Sequence, residues 1–153
     1  MRQPGNPRAA FMSGVPAVPV DWAGAISLPY LLGVHGDRPV LSLHPALAEQ
    51  RGPRRPSSTL AVTWRPSSSE AVRFVDADGA EVVTCVHTGD RLSVSDGSGA
   101  ALGDLPYVGG EVAVVVDGPV LEIVGTAGVL AVPVAADRGP LVPDGAAEWW
   151  SLT

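Results

Sequence analysis

The chain has 153 residues, 46% of them hydrophobic, and a formal charge of −6, with every positive charge carried by arginine. A single domain is expected at that length, and a domain of this size buries about 68–70% of its unfolded surface, so it needs no disulfide or metal for stability. The acidic balance and the lack of a basic run argue against nucleic acid as a partner, and no apolar run approaches the roughly 20 residues of a membrane-spanning helix.

The N-terminus, MRQPGNPRAAFMSGVPAVPV, has prolines where a signal peptide would carry its apolar core. Residues 1–20 therefore read as an extension or linker, and the protein as cytoplasmic. The 18 glycines and 15 prolines are spread along the chain and leave little room for long helices. Short β-branched runs dominate instead: LLGV (31–34), PVLSL (39–43), STLAVTW (58–64), AVRFV (71–75), EVVTCVH (81–87), RLSVS (91–95), VAVVV (112–116), VLEIV (120–124) and VLAVPV (129–134). HPALAEQR (44–51) has the pattern of about two helical turns, and GPRRPSSTL (52–60) that of a polar connector. HGDR, DADG, TGD, SDGSG and DG separate the runs, and their Gly and Asp residues tolerate positive φ. This spacing predicts an all-β fold, a β-sandwich of two antiparallel sheets, over residues 21–153.

The stretch VAVVVDGPVLEIV (112–124) reads as a hairpin. A two-residue turn at Asp117-Gly118 pairs Val116 with Pro119, Val114 with Leu121 and Val112 with Ile123. One face is then wholly apolar, and Ala113, Val115, Val120, Glu122 and Val124 share the other. Pro119 has no backbone donor for that pairing, so a longer turn is the alternative. Asp117 and Glu122 do not face each other in this arrangement, as a catalytic carboxylate pair must.

Other candidate chemistry is sparse. His35, His44 and His87 lack metal-ligand spacing to one another, to Cys85 or to a carboxylate. Cys85, flanked by valines and a threonine, reads as a small buried apolar residue. GSGAALG (97–103) follows a strand, but Pro106, Gly109 and Gly110 interrupt the helix that a phosphate loop requires, so a glycine-rich hairpin loop is the better reading. No G-x-S-x-G elbow is present. No cofactor is expected. Of the aromatic residues, Trp22, Trp149 and Trp150 are the candidate contacts for a sugar or a partner, and strand alternation puts the Trp149 and Trp150 rings on opposite sides.

The order of the motifs resembles glycoside hydrolase family 32, the family of invertases, levanases, inulinases and sucrose-6-phosphate hydrolases. DWAGAISLPYLLGVHGDR (21–38) followed by HPALAEQRG (44–52) is similar to the linker and first strands of that family's C-terminal sandwich, W-x-G-x-x-(S/T)-L-P-R-E-L and then P-x-x-E-L-x-x-L-R. Trp22, Gly24, Ser27, Leu28 and Pro29 match, Tyr30 and Leu31 replace the Arg and Glu, and Leu32 keeps the last position. RLSVSDGSG (91–99) resembles L-x-x-D-R-S-x-S-G, with Val94 and Ser95 in place of Asp and Arg, or with that pair shifted. The hairpin resembles L-R-V-F-V-D-x-S-x-x-E-V-F, and EWWSL (148–152) resembles the closing W-x-L strand. The family's Arg falls at Ala113, opposite Glu122 in the turn pairing above. Such a pair contributes about 0.2–1 kcal/mol, and here Glu122 reads as a structural relic that has lost its partner.

The family cleaves fructosyl bonds with a propeller that precedes the sandwich, using motifs W-x-N-D-P-N-G, R-D-P and E-C. None of these motifs occurs here: the nearest strings are GNPR (5–8), GDRP (36–39) and TC (84–85). The resemblance thus implies a non-catalytic accessory or interaction sandwich of sucrose or fructan metabolism, separated from its propeller. Its implied partners are a catalytic propeller domain or a second copy in a homodimer, with an exposed apolar patch near Trp22 to Leu28. A module that binds fructan or sucrose by itself, and the C-terminal part of a split fructosyl hydrolase completed in trans, are the alternatives.

Overall fold

The computed structural model describes residues 7–8, 11–12, 25–26, 28–67, 70–135, 138–145 and 148–153. The chain opens with short strands β1 (Pro7–Arg8), β2 (Phe11–Met12) and β3 (Ala25–Ile26), followed by the hairpin β4 (Tyr30–His35) and β5 (Arg38–Leu43). One helical turn, α1 (Ala46–Glu49), comes next. It is half the predicted length, because its first turn has no side-chain cap and it buries no residue, and a helix that short gains little by itself.

The body follows as β6 (Thr59–Trp64), β7 (Ala71–Val75), β8 (Glu81–Thr88), β9 (Arg91–Asp96), β10 (Ala101–Pro106), β11 (Val112–Asp117), β12 (Val120–Gly125), β13 (Gly128–Pro133), β14 (Val142–Asp144) and β15 (Glu148–Ser151). These ten strands make two antiparallel five-stranded sheets, ordered β10-β9-β8-β7-β14 and β13-β12-β11-β6-β15. The all-β sandwich expected from the sequence is therefore the fold. A third, three-stranded sheet, β1-β4-β5, and the pair β2-β3 complete the described strands. Among the described residues no helix is long and apolar enough to cross a membrane.

Period-two alternation explains how the two sheets meet. Val72, Phe74, Val83, Cys85, Leu92, Val94 and Leu105 come from one inner face, and Leu60, Val62, Trp64, Val112, Val114, Val116, Leu121 and Ile123 from the other. Cys85 lies in this core as a free thiol whose pKa burial pushes up to about 12. The expectation of a small buried apolar residue fits that setting.

Two hairpins are closed by the same local chemistry. Oδ1 of Asp76 accepts the backbone N–H groups of Asp78 and Ala80, and Oδ1 of Asp96 accepts those of Ser98 and Ala100, all at 2.9 Å. Gly79 and Gly99 supply the positive φ that each turn needs. GSGAALG is accordingly a hairpin turn running into β10. Gly103 within β10 lets Leu130 of the other sheet approach, since a Cβ there would stand 3.0 Å from its Cδ1.

One predicted register is corrected. In the β11–β12 hairpin Asp117 pairs with Val120, Val116 with Leu121, Val115 with Glu122, Val114 with Ile123 and Ala113 with Val124. The turn residues are thus Gly118 and Pro119, one residue later than Asp117-Gly118. The reason is the imino ring of Pro119: as the partner of Val116 it would have to donate a ladder hydrogen bond, whereas within the loop its missing N–H costs nothing. The shift is an even number of positions along the pairing, so the assignment of residues to faces stands. Ala113 lies opposite Val124 and not opposite Glu122, so its lack of a charge is not what leaves Glu122 without an ion-pair partner among the described residues.

Candidate functional site: a cleft on the outer face of the sandwich

The strands that build the core also carry an outer face. On β6 and β11 the outward positions are Ala61, Thr63, Ala113 and Val115, with Thr63 opposite Ala113 and Ala61 opposite Val115. On the far side Ala61 pairs with Trp150 of β15. Alanines and a threonine at these sites leave a shallow floor, where the inner face has Leu60, Val62 and Trp64.

The β4–β5 hairpin and α1 arch over this floor. Tyr30 pairs with Leu43, Leu32 with Leu41 and Val34 with Pro39, so one face of the hairpin is apolar along its length. Its root is anchored: Tyr30 is buried, and the N–H of His44 donates to the carbonyl of Pro29 at 3.1 Å. Exposure then climbs toward the tip, from 5% at Tyr30 to 40% at Leu32 and 75% at Val34. Between hairpin and sheet lies a cleft of about 1000 Å³, walled by β5, α1, Arg51 and the outer face of β6 and β11, with Trp150 at one end. Its polar side chains are Ser42, His44, Arg51, Thr63, Glu111 and Thr126.

The carboxyl of Glu122 lies on the same face of the sheet. Its neighbours across the strands are Val115 and Ala131, and it is only 3% exposed. Oε1 accepts the backbone N–H of Leu28 at 3.0 Å, and Oε2 has no hydrogen-bond partner among the described residues. Burial holds its pKa above the usual carboxylate range, and the Leu28 hydrogen bond opposes that shift only in part. A buried acid hydrogen-bonded to the segment leading into the hairpin serves that contact. The structural reading of Glu122 thus gains a definite content.

The three candidate aromatic residues have different fates. Trp22 lies outside the described residues, as does most of the apolar patch expected from Trp22 to Leu28. Trp149 packs against the core, and its carbonyl accepts the Nε–H of Arg54 at 3.1 Å. Trp150 faces the cleft, half-buried, with the Arg51 guanidinium 3.9 Å from its ring centroid. Alternation therefore separates the two rings as expected, one inward and one outward. The outward ring is already capped by a cation, an arrangement typical of arginine. Among the described residues no three His, Cys, Asp or Glu side chains gather as a metal site.

Sequence reasoning did not reveal the cleft or the Leu28–Glu122 contact. The usable signal was the pair of alanines, Ala61 and Ala113, at outward positions in otherwise valine-rich strands.

No protein-family profile and no curated protein sequence matches the chain. Solved structures do. A Bombyx mori GH32 beta-fructofuranosidase superposes with a TM-score of 0.69 at 16% identity, over 86% of this chain and 33% of that one. The fold is that of a domain of the family 32 beta-fructofuranosidases. A mutant of the same Bombyx mori enzyme in complex with sucrose gives a TM-score of 0.73, again at 16% identity, over 94% of this chain and 37% of that one. Sucrose-6-phosphate hydrolase from Lactobacillus gasseri gives 0.62 at 11% identity, over 86% and 34%. The chain spans about a third of the length of the glycoside hydrolases it matches. That share agrees with one domain of such an enzyme.

Proposed function

We propose that this chain is a non-catalytic accessory sandwich related to the beta-fructosidases of sucrose or fructan metabolism, and that it packs against a catalytic propeller domain or a partner subunit. The observation that carries the reading is the coverage. Most of this chain corresponds to only about a third of each family 32 enzyme, which supports a role beside a larger catalytic part.

The local chemistry is compatible with that role. Hydrolysis by a retaining glycosidase uses two carboxyl groups about 5–5.5 Å apart on either side of the scissile bond. The buried acid on the cleft side, Glu122, is instead hydrogen-bonded to backbone and sealed by its neighbours. Leu32 and Val34 offer exposed apolar surface on the hairpin, the kind of surface that association covers. The division into an extension at 1–20 and a sandwich at 21–153 belongs to the same proposal.

The fructan-binding alternative would need an aromatic platform open to a sugar ring. Trp149 is turned inward and Trp150 is stacked under Arg51, so the described tryptophans support docking better than sugar stacking. The test is to mix the chain with a family 32 propeller expressed without its own sandwich. Light scattering after size exclusion would follow complex formation, and sucrose hydrolysis would follow activity. A heterodimer is expected, with hydrolysis only when the propeller is present. Hydrolysis by this chain alone, or saturable quenching of tryptophan fluorescence by sucrose or levan without a complex, would each overturn the reading.

A further inference from the structure

The docking proposal makes no use of the buried carboxyl beneath the hairpin root, and its surroundings are unusual for an acid. From β11 it meets Val115. From β13 it meets Ala131, flanked on the same face by Val129 and Pro133. The strand packed above β12 and β13 is β5, whose residues from Pro39 to Leu43 carry no charge. On the same face of β11, Asp117 lies two positions beyond Val115 and is exposed, and three further ionisable groups on this side of the sheet are engaged elsewhere. Glu111 pairs with the exposed Arg65, Arg51 lies over Trp150, and Nδ1 of His44 accepts the N–H of Ala46. Arg38 and His35 close the hairpin at the end opposite its root. Among the described residues, desolvation and the Leu28 hydrogen bond are the causes acting on Glu122, desolvation the larger.

A carboxylate in this place has a single hydrogen bond and an unpaired oxygen in apolar surroundings. The neutral acid is the form that such a site tolerates, because burying an ionised carboxyl without a partner is far costlier than burying the acid. The hairpin above it is held at its root, through Leu28, Pro29 and Tyr30, and is progressively exposed beyond. The cleft of about 1000 Å³ beneath it leaves room for movement.

We propose that Glu122 is a protonation-controlled latch for the β4–β5 hairpin: the neutral carboxyl keeps Leu28 and the hairpin root seated on the sheet, and its ionisation frees the root and widens the cleft. The proton passes to solvent as water reaches both carboxyl oxygens. Because the pKa is raised in the closed state, the stabilisation of that state is complete below the ordinary glutamate value and is lost as the pH rises through the native one. Opening therefore increases with pH.

Hydrogen–deuterium exchange of the whole chain between pH 4.5 and pH 8 tests this, with rates corrected for intrinsic exchange and the β8 amides as internal reference. In the wild type, protection of residues 30–43 should fall at least five-fold relative to β8 across that range. Glu122→Gln, which keeps an acceptor for Leu28 and cannot ionise, should hold that protection constant. Parallel changes in the hairpin and β8, or an unchanged pH dependence in Glu122→Gln, would overturn the proposal. Should the variant lose β8 protection altogether, carbon-13 titration of the Glu122 carboxyl in the wild type decides. Its midpoint must coincide with that of hairpin opening, and two separate midpoints would refute the latch. The isolated chain suffices for these measurements, so their failure leaves the propeller-docking test untouched.

Discussion

Strands β6, β11 and β12 present two faces that share one backbone and differ in almost everything else. Inward, Leu60, Val62, Trp64, Val112, Val114, Val116, Leu121 and Ile123 interdigitate with the opposite sheet and are almost wholly excluded from water. Outward, Ala61, Thr63, Ala113 and Glu122 lie beneath a hairpin attached at one end, and a cleft remains. Both faces come from the same alternation, so strand pattern alone does not decide which surface becomes a core. Side-chain volume does, because interiors pack to near-crystalline density and short side chains on one wall must be met by long ones on the other. The inner face meets Phe74 and Leu92. The outer face meets a hairpin that rises away from it.

The contrast can be broken most severely from the inside. Phe74→Ala removes one of the largest buried side chains and should lower the unfolding free energy by about 3–5 kcal/mol, measured by urea denaturation. A loss below about 1 kcal/mol would mean that the two sheets are not tightly packed. The acid on the outer face comes next, and its effect depends on pH. Thermal melts of wild type and Glu122→Gln should nearly coincide at pH 4, with the wild type melting progressively lower than the variant as the pH rises through the raised native pKa. A gap that widens toward acid would reverse the assigned sign.

Smaller effects sharpen the picture of the cleft. Arg51→Ala removes an exposed cation–π contact with Trp150 and should cost about 0.5–1 kcal/mol, with a change in tryptophan emission as the ring gains water. Ala113→Val adds two methyl groups toward open space and should shift stability by no more than about 0.5 kcal/mol. A penalty of about 1–3 kcal/mol, the usual cost of overpacking, would show that the cleft is closed in solution.

Much of the fold was legible in the sequence because β-branched alternation and Asp-Gly turns are local signals. Asp76 and Asp96 close their turns with bonds that reach no further than four residues. The register of the β11–β12 hairpin was misjudged where two local rules competed, the turn preference of Asp-Gly against the missing donor of Pro119, and the proline prevailed. Strand β10, ALGDLP, gave no sign of itself: it has no β-branched residue, and it forms because β9 offers an edge and Gly103 admits Leu130. Tertiary context decides such strands. That Trp149 and Trp150 lie on opposite sides followed from alternation, whereas which of them turns inward did not. The contact between Leu28 and Glu122 did not, since it joins residues 94 positions apart and has no local signature.

Strand β6 lies between β11 and β15, and residues 50–53 are stitched along the outer edge of β15 by bonds from Gly52 to Ser151, Ser151 to Pro53 and Thr153 to Gln50. During synthesis, therefore, one side of β6 and the segment beside it stay unpaired until residues 148–153 have emerged from the ribosome. Closing loops of that span is slow, and an open strand edge invites pairing with other chains. The nascent chain thus carries an open, aggregation-prone edge until β15 docks on β6.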